Sequence, residues 1–189
     1  MSVVLAYADE HMAVVASDGR VSDIFGNIIS EEYPKVRKIS MNVIMGYAGH
    51  AIPCNNIADS ITNPESTRLT QDARVEDVVD SIQTYMSSYP KGLNIGFVVC
   101  GMGRNGKMRT EIVTPGGNSQ IYHPGNEEPF FCAMYPKEIP TNAQVFENEL
   151  LSKSPEDAMR ETIKICANLS QTVNQNVFLE RLQIFLLKD

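Results

Sequence analysis

The sequence lacks the residue patterns by which common metal and nucleotide sites are identified. Its four cysteines are dispersed with no Cys-x-x-Cys pair, and none of the three histidines lies at ligand spacing from a cysteine. A zinc site is therefore not expected. The chain also has no P-loop, zinc-protease or nucleophile-elbow motif. We accordingly expect no metal and no other cofactor, and we interpret the cysteines as buried thiols of a cytoplasmic protein.

Long hydrophobic runs and an excess of positive charge are missing as well. The longest apolar stretches, such as residues 95–100, have the length of a strand and fall short of the roughly 18 residues that cross a bilayer. The first residues lack the basic segment and cleavage pattern of a signal peptide. The formal net charge is −7, whereas binding to a phosphate backbone requires a basic face. We therefore expect neither a membrane nor a nucleic acid as a partner.

The sequence does contain an alternation of strand and helix patterns. Its length of 189 residues predicts one domain spanning residues 1–189. Apolar runs and turn signals predict strands at 3–8, 12–17, 26–30, 35–39, 43–47, 94–101, 107–114, 118–122, 129–134 and 177–187. Helical periodicity and capping signals predict helices at 52–62, 74–89, 142–151 and 154–171. Such alternating blocks predict an α+β fold in which helices cover antiparallel sheets.

Four small motifs stand out together in the first fifty residues. Ser2 precedes the first strand, and Asp18 lies in the segment Ala-Ser-Asp-Gly-Arg at the end of the second. Lys35 opens the basic run Lys-Val-Arg-Lys, and Gly49 closes the segment Gly-Tyr-Ala-Gly. Taken singly, these motifs have ordinary interpretations: a start residue, a turn, a solvated strand end and a close-packed junction. Their spacing is 16 residues from Ser2 to Asp18 and 14 from Lys35 to Gly49.

This stretch resembles the proteasome β-subunit family, and within it the bacterial HslV-type peptidase. In that family an aspartate follows the mature N-terminal nucleophile at the first of these spacings, and an Ala-Gly turn follows a lysine at the second. The lysine here comes one residue later than usual. The first fifty residues match the family in motif, and the remainder matches it in element order. The resemblance implies the four-layer αββα fold of N-terminal-nucleophile hydrolases.

The same resemblance implies a role for each matched residue. Ser2 would be the nucleophile once Met1 is removed, and its α-amine, with a pKa of about 7.7–8.0, would be the base. The charge of Lys35 would lower the pKa of the nucleophile, and Asp18 would hold and neutralise Lys35. The Gly49 N–H would donate to the developing oxyanion.

The resemblance also implies residues near the substrate, and partners. Val21, Tyr47 and Ala51 would lie near the specificity pocket, and the substrate would be a peptide or another amide. The protein would form a homo-oligomeric ring. An ATPase partner is expected only by analogy with the HslV-type system.

Three functions remain open at this point: a peptidase, a small-molecule amidase with the same centre, and an inactive proteasome-fold assembly or binding protein. The family has a Gly-Ser-Gly turn, whose serine supports the terminal amine, where this chain has residues 131–135, Phe-Cys-Ala-Met-Tyr. The family's Asp-x-x-Ser pair is also absent near residues 168–170. These departures motivate the inactive alternative.

Overall fold

Strands and helices alternate in blocks along the chain, as the periodicity predicts. The computed structural model describes residues 2–23, 25–63, 65, 69–116, 119–125, 128–134, 139 and 142–184. The strands are β1 (Val4–Ala8), β2 (Met12–Asp18), β3 (Val21–Ser22), β4 (Ile28–Ser30), β5 (Val36–Lys38), β6 (Val43–Gly49), β7 (Ile95–Met102), β8 (Met108–Val113), β9 (Ser119–Tyr122), β10 (Phe130–Met134) and β11 (Val177–Gln183). The helices are α1 (Ala51–Thr62), α2 (Val75–Met86), α3 (Asn142–Leu150) and α4 (Pro155–Leu169).

Two antiparallel sheets form the centre of the fold. One has four strands in the order β10-β1-β2-β11, and the other has five in the order β5-β6-β7-β8-β9. A separate two-stranded arm pairs β3 with β4. The first sheet brings the C-terminal strand β11 alongside β2, with Val177 opposite Asp18. Because of that pairing, the segment that leads into β11 lies beside the end of β2.

The side chains of each strand divide between two layers, because successive residues of a strand point to opposite faces. Val4, Ala6 and Val15 of the four-stranded sheet pack against Ile44 and Val98 of the five-stranded sheet. Val3 and Leu5 point the other way and join the core beneath α3 and α4. On the far side, α1 and α2 pack on the five-stranded sheet. The layers are therefore α, β, β and α, which confirms the fold expected from the resemblance.

The two sheets approach closely where the first strands cross β6. A Cβ atom added to Gly46 would lie 2.7 Å from the Cγ1 atoms of both Val4 and Val15. Small residues also line this part of β1 and β2, which allows the two sheets to approach closely. This packing places Gly46, in the middle of β6, beside Val4, the first residue of β1.

The predicted elements correspond to the observed ones within a few residues at each end. The Ser154 cap of α4 is present, with the Asp157 N–H donating to its Oγ at 3.2 Å. The arm predicted at 26–30 is present as β4, although its partner β3 was not predicted as a strand. The last part of the strand predicted to reach residue 187 lies outside the described residues. Among the described helices, none is long and apolar enough to cross a membrane.

Candidate active site

The start of β1 and the end of β2 are fixed to each other by two hydrogen bonds. The Val3 N–H donates to Oδ1 of Asp18 at 2.9 Å, and the Asp18 N–H donates to the Val3 carbonyl at 3.2 Å. Ser2 is buried immediately before this contact, with 7% of its surface exposed. The Asp18 carboxylate is thus held against the main chain of the residue that follows Ser2.

Lys35 forms a buried ion pair with Asp18. Its Nζ donates to Oδ1 of Asp18 at 3.2 Å and to the Asp18 carbonyl at 3.0 Å. The side chain of Lys35 is 5% exposed and that of Asp18 is 0% exposed. Burial lowers the pKa of Lys35, and the Asp18 carboxylate partly opposes this effect. The interpretation of Lys35 as part of a solvated strand end is therefore wrong, because its ammonium group is buried against a carboxylate.

The Asp18 carboxylate receives hydrogen bonds on both oxygens. Oδ1 accepts from Val3 and Lys35, and Oδ2 accepts from the Arg20 N–H at 2.9 Å. Lys35 is fixed independently, because its main-chain N–H donates to the Ser17 Oγ at 3.2 Å. Buried ionisable groups with several partners hold one geometry, and such geometry is a requirement of catalysis.

Gly49 ends β6 on the side of the molecule where Lys35 lies. The Tyr47 N–H donates to the Lys35 carbonyl at 3.1 Å, two residues before Gly49. The His50 N–H donates to the Asn94 carbonyl, so in the antiparallel register Gly49 and Ile95 form a pair without hydrogen bonds between them. The Gly49 N–H therefore points away from β7, towards the side on which β5 pairs. That direction suits a donor to a substrate oxygen.

Only glycine fits at position 49. Its φ is +122°, and an added Cβ would lie 2.2 Å from the Asn94 carbonyl oxygen. An L side chain rarely adopts this φ, and the contact is with main chain that cannot rotate aside. The glycine of the motif is thus required by the backbone itself.

The three residues expected near the specificity pocket lie in different surroundings. Val21 is 9% exposed and pairs with Ser30 in the arm, directly after Arg20. Ala51 is the first residue of α1 and is partly exposed. Tyr47 is buried in the core beneath α1 and α2, where its ring lies 5.7 Å from that of Phe97. Their contact with substrate stays a prediction.

Comparison with known families gives a match over most of the chain. The family model described as proteasome subunit matches residues 2–130. The chain belongs to the proteasome subunit family. A search of curated proteins found no match.

Solved structures support this membership at the level of the fold. Eukaryotic HslV from Trypanosoma brucei is 13% identical, with a TM-score of 0.65 over 96% of this chain and 99% of that one. Anbu, described as an ancestral beta-subunit, from Yersinia bercovieri is 14% identical, with a TM-score of 0.72 over 96% of this chain and 81% of that one. Both are similar to this chain in the proteasome-type fold.

This proteasome-family chain departs from the family pattern at β10. Cys132 and Ala133 lie within β10 and pair with Ala6 and Leu5 of β1, at the place where the resemblance leads us to expect a Gly-Ser-Gly turn. The sequence has no serine between Ser119 and Ser152. Tyr135 and the three residues after it lie outside the described residues. The serine that supports the terminal amine in the family has no counterpart in this segment.

A polar cluster that no sequence pattern predicts lies beside the proteasome-type motif. Asn174, in the loop before β11, accepts from the Gly19 N–H at 2.9 Å. Its side chain also donates to the Glu31 carbonyl at 2.7 Å, and Arg20 forms an ion pair with the Glu31 carboxylate at 2.9 Å. Asn174 is 155 residues from Gly19 in the sequence, so no spacing rule could have linked the two.

Proposed function

We propose that this proteasome-family chain is an N-terminal-nucleophile hydrolase that cleaves amide bonds in peptides, with Ser2 as nucleophile after removal of Met1. The observation that carries the proposal is the buried Lys35–Asp18 ion pair, which is hydrogen-bonded to the main chain at the residue after Ser2. A buried ion pair contributes little to stability compared with apolar residues of the same volume, so its presence favours a functional role.

The chemistry follows the roles implied by the resemblance. The Ser2 hydroxyl attacks the carbonyl carbon of the substrate, and its proton passes to the α-amine of Ser2. The oxyanion that forms accepts a hydrogen bond from the Gly49 N–H. The C–N bond then breaks, and the leaving amine takes the proton from the α-ammonium group. Water hydrolyses the resulting ester, which releases the carboxylic acid and restores the Ser2 hydroxyl.

Lys35 and Asp18 act on the nucleophile through charge. The ammonium group of Lys35 stabilises the alkoxide that develops on Ser2, because water is largely excluded from its surroundings. Asp18 keeps the ammonium group in place and opposes the effect of burial on its pKa. Neither residue exchanges a proton in the scheme above.

Labelling with a peptide that carries a terminal electrophile tests the proposal. The protein is first shown by intact mass to have lost Met1. Mass spectrometry is then expected to find one adduct on Ser2, and none on the Ser2→Ala variant. Ser152→Ala, at an exposed position, is the matched control and is expected to label like the parent protein. If the processed protein forms no adduct, or if Ser2→Ala forms the same adduct, the proposal is wrong.

An inactive assembly or binding protein is the second candidate, and the absence of a serine between Ser119 and Ser152 favours it. Quantitative retention of Met1 in protein from its native cell would support this candidate, because Ser2 would then have no free α-amine. A small-molecule amidase would use the same centre. Turnover of short amides but not of peptides would identify it.

We further propose, from family membership, that copies of the chain assemble into a homo-oligomeric ring, and, from its dispersed cysteines, that the protein is cytoplasmic. A native mass spectrum measures the number of copies. A partner ATPase is an extension of the same analogy, and stimulation of peptide cleavage by ATP in a lysate of the native cell would support it.

A further inference from the structure

Asn174 is hydrogen-bonded to the turn that follows Asp18. This side chain is 8% exposed and uses both ends of its amide. Its Oδ1 accepts from the Gly19 N–H at 2.9 Å, and its Nδ2 donates to the Glu31 carbonyl at 2.7 Å and to the Glu31 carboxylate. Only an amide offers an acceptor and a donor in this arrangement, so the orientation of Asn174 is fixed by its partners.

Arg20 connects the Glu31 carboxylate to the Asp18 carboxylate. Its guanidinium group contacts the Glu31 carboxylate through Nε at 3.1 Å and Nη2 at 2.9 Å, and Nη1 donates to the Gln171 carbonyl. Its main-chain N–H donates to Oδ2 of Asp18 at 2.9 Å. The hydrogen bonds from Arg20 and Asn174 lower the pKa of Glu31, which keeps this acceptor ionised.

The turn is closely packed at Gly19. A Cβ atom added to Gly19 would lie 2.4 Å from the Glu31 carbonyl oxygen and 2.8 Å from the ring of Phe178. Glu31, before β5, and Phe178, in β11, therefore pack against the turn from two sides.

We propose that Asn174 is a positioning residue, which fixes the turn of residues 18–20 and through it the contact between Asp18 and Lys35. Its role in catalysis rests on the function proposed above, whereas its effect on the ion pair does not. Loss of the Asn174 side chain leaves the Gly19 N–H without this acceptor and removes one of two side-chain donors to the Glu31 carbonyl, so the turn shifts and the Asp18 carboxylate moves away from Lys35.

A titration of Lys35 tests the positioning role without any activity. The titratable groups around the ion pair are Asp18 and Lys35 themselves, from β2 and the segment before β5, the Cys166 thiol of α4 and, in protein that has lost Met1, the α-amine of Ser2. NMR of ¹³C-labelled lysine, assigned with a Lys35 variant, measures the pKa of Lys35. In Asn174→Ala this pKa is expected to fall by about one pH unit, because an opposite charge has moved away.

Asn176→Ala is the matched control. Asn176 lies on the same loop and donates to the same Glu31 carbonyl at 2.8 Å, but it makes no hydrogen bond to the turn. It is expected to leave the Lys35 pKa unchanged. If Asn174→Ala does not fold, Glu31→Gln weakens the hold on Arg20 and is expected to lower the Lys35 pKa in the same direction. Equal titration of Lys35 in the variant and the parent protein would overturn the proposal.

The rate of labelling by the electrophile gives the catalytic readout. Asn174→Ala is expected to react about ten- to a hundredfold more slowly at saturating electrophile. In the pH profile of this labelling rate, the alkaline limb of the variant is expected to move to lower pH, because Lys35 loses its charge at a lower pH. A slower labelling rate with an unchanged pH profile would show that Asn174 has a structural role only, and would contradict the proposal. If the parent protein does not label at all, the proposed function fails, and the Lys35 titration still decides the positioning role.

Discussion

Removing one charge of the Lys35–Asp18 pair is expected to lower the free energy of unfolding, because both side chains are buried and each is the other's charged partner. Asp18→Asn removes the negative charge and replaces one acceptor oxygen by an NH₂ group. Lys35 keeps the main-chain carbonyl of residue 18, which accepts from it at 3.0 Å. Breaking a buried ion pair costs about 3–5 kcal/mol. The retained carbonyl reduces the loss, whereas the NH₂ group deprives a main-chain N–H of its acceptor, so we expect a loss of about 3–5 kcal/mol.

The loss is expected to depend on pH, and its sign follows from Lys35. Burial lowers the pKa of Lys35, and Asp18 opposes this effect, so the pKa falls further in Asp18→Asn. The unfolded chain then binds more protons than the folded one between that lowered pKa and the unfolded value of about 10.4. Stability therefore rises with pH in this window. The variant should be less destabilised at pH 10 than at pH 7.

Urea unfolding at both pH values and one protein concentration measures this difference. Asp80→Asn, which changes the same side chain at an exposed ion pair with Arg104, is the control and should cost less than about 1 kcal/mol. The double variant Asp18→Asn with Lys35→Met leaves no unpaired buried charge and should recover part of the stability. A loss below about 1 kcal/mol at pH 7, or an equal loss at both pH values, would refute the reasoning.

Two further predictions concern the backbone at Gly49 and the buried thiols. Gly49→Ala should lower the free energy of unfolding in urea by more than about 2 kcal/mol, because its Cβ would lie 2.2 Å from a carbonyl oxygen. Gly26→Ala, also at positive φ but in open space, should lower it by about 1 kcal/mol. Equal losses in the two variants would contradict the close contact at Gly49. Burial, with Asp18 nearby, raises the pKa of Cys166 to about 11. Iodoacetamide at pH 8 should therefore leave the Cys166 thiol unmodified in the folded protein and modify it in urea, which mass spectrometry would detect. Rapid modification of the folded protein would show that the packing of α4 on this site is wrong.

The elements could be predicted because their signals are local, and the principal motif because its spacings resemble those of a known family. The Asn105-Gly106 pair marks the turn between β7 and β8, and the Ser154-Pro155 pair marks the start of α4. Gly49 follows from the need for a close approach of two backbones. Signals of this kind lie within a few residues of one another, so one sequence is sufficient to detect them.

Composition alone could not predict the burial of Lys35, and no sequence pattern could predict the contacts of Asn174. Lys35 lies beside Arg37 and Lys38, which are partly or fully exposed, so composition alone predicts a solvated run. Asn174 contacts Gly19 only because β11 pairs with β2, and the order of strands in a sheet depends on long-range packing. A polar residue in a loop carries no mark of such a contact.

The spacing from Ser2 to Asp18 has a structural cause in the first hairpin. Asp9 fixes its turn by accepting from the N–H groups of His11 and Met12 at 2.8 and 2.9 Å. With that turn fixed, Val4 lies opposite Ser17, so the residues before Val4 meet those after Ser17. A slip of one residue would move every side chain of β1 to the other face and would separate Asp18 from the Val3 N–H. The spacing in the motif therefore reflects the register of the hairpin, because this register fixes the number of residues between the start of β1 and the end of β2.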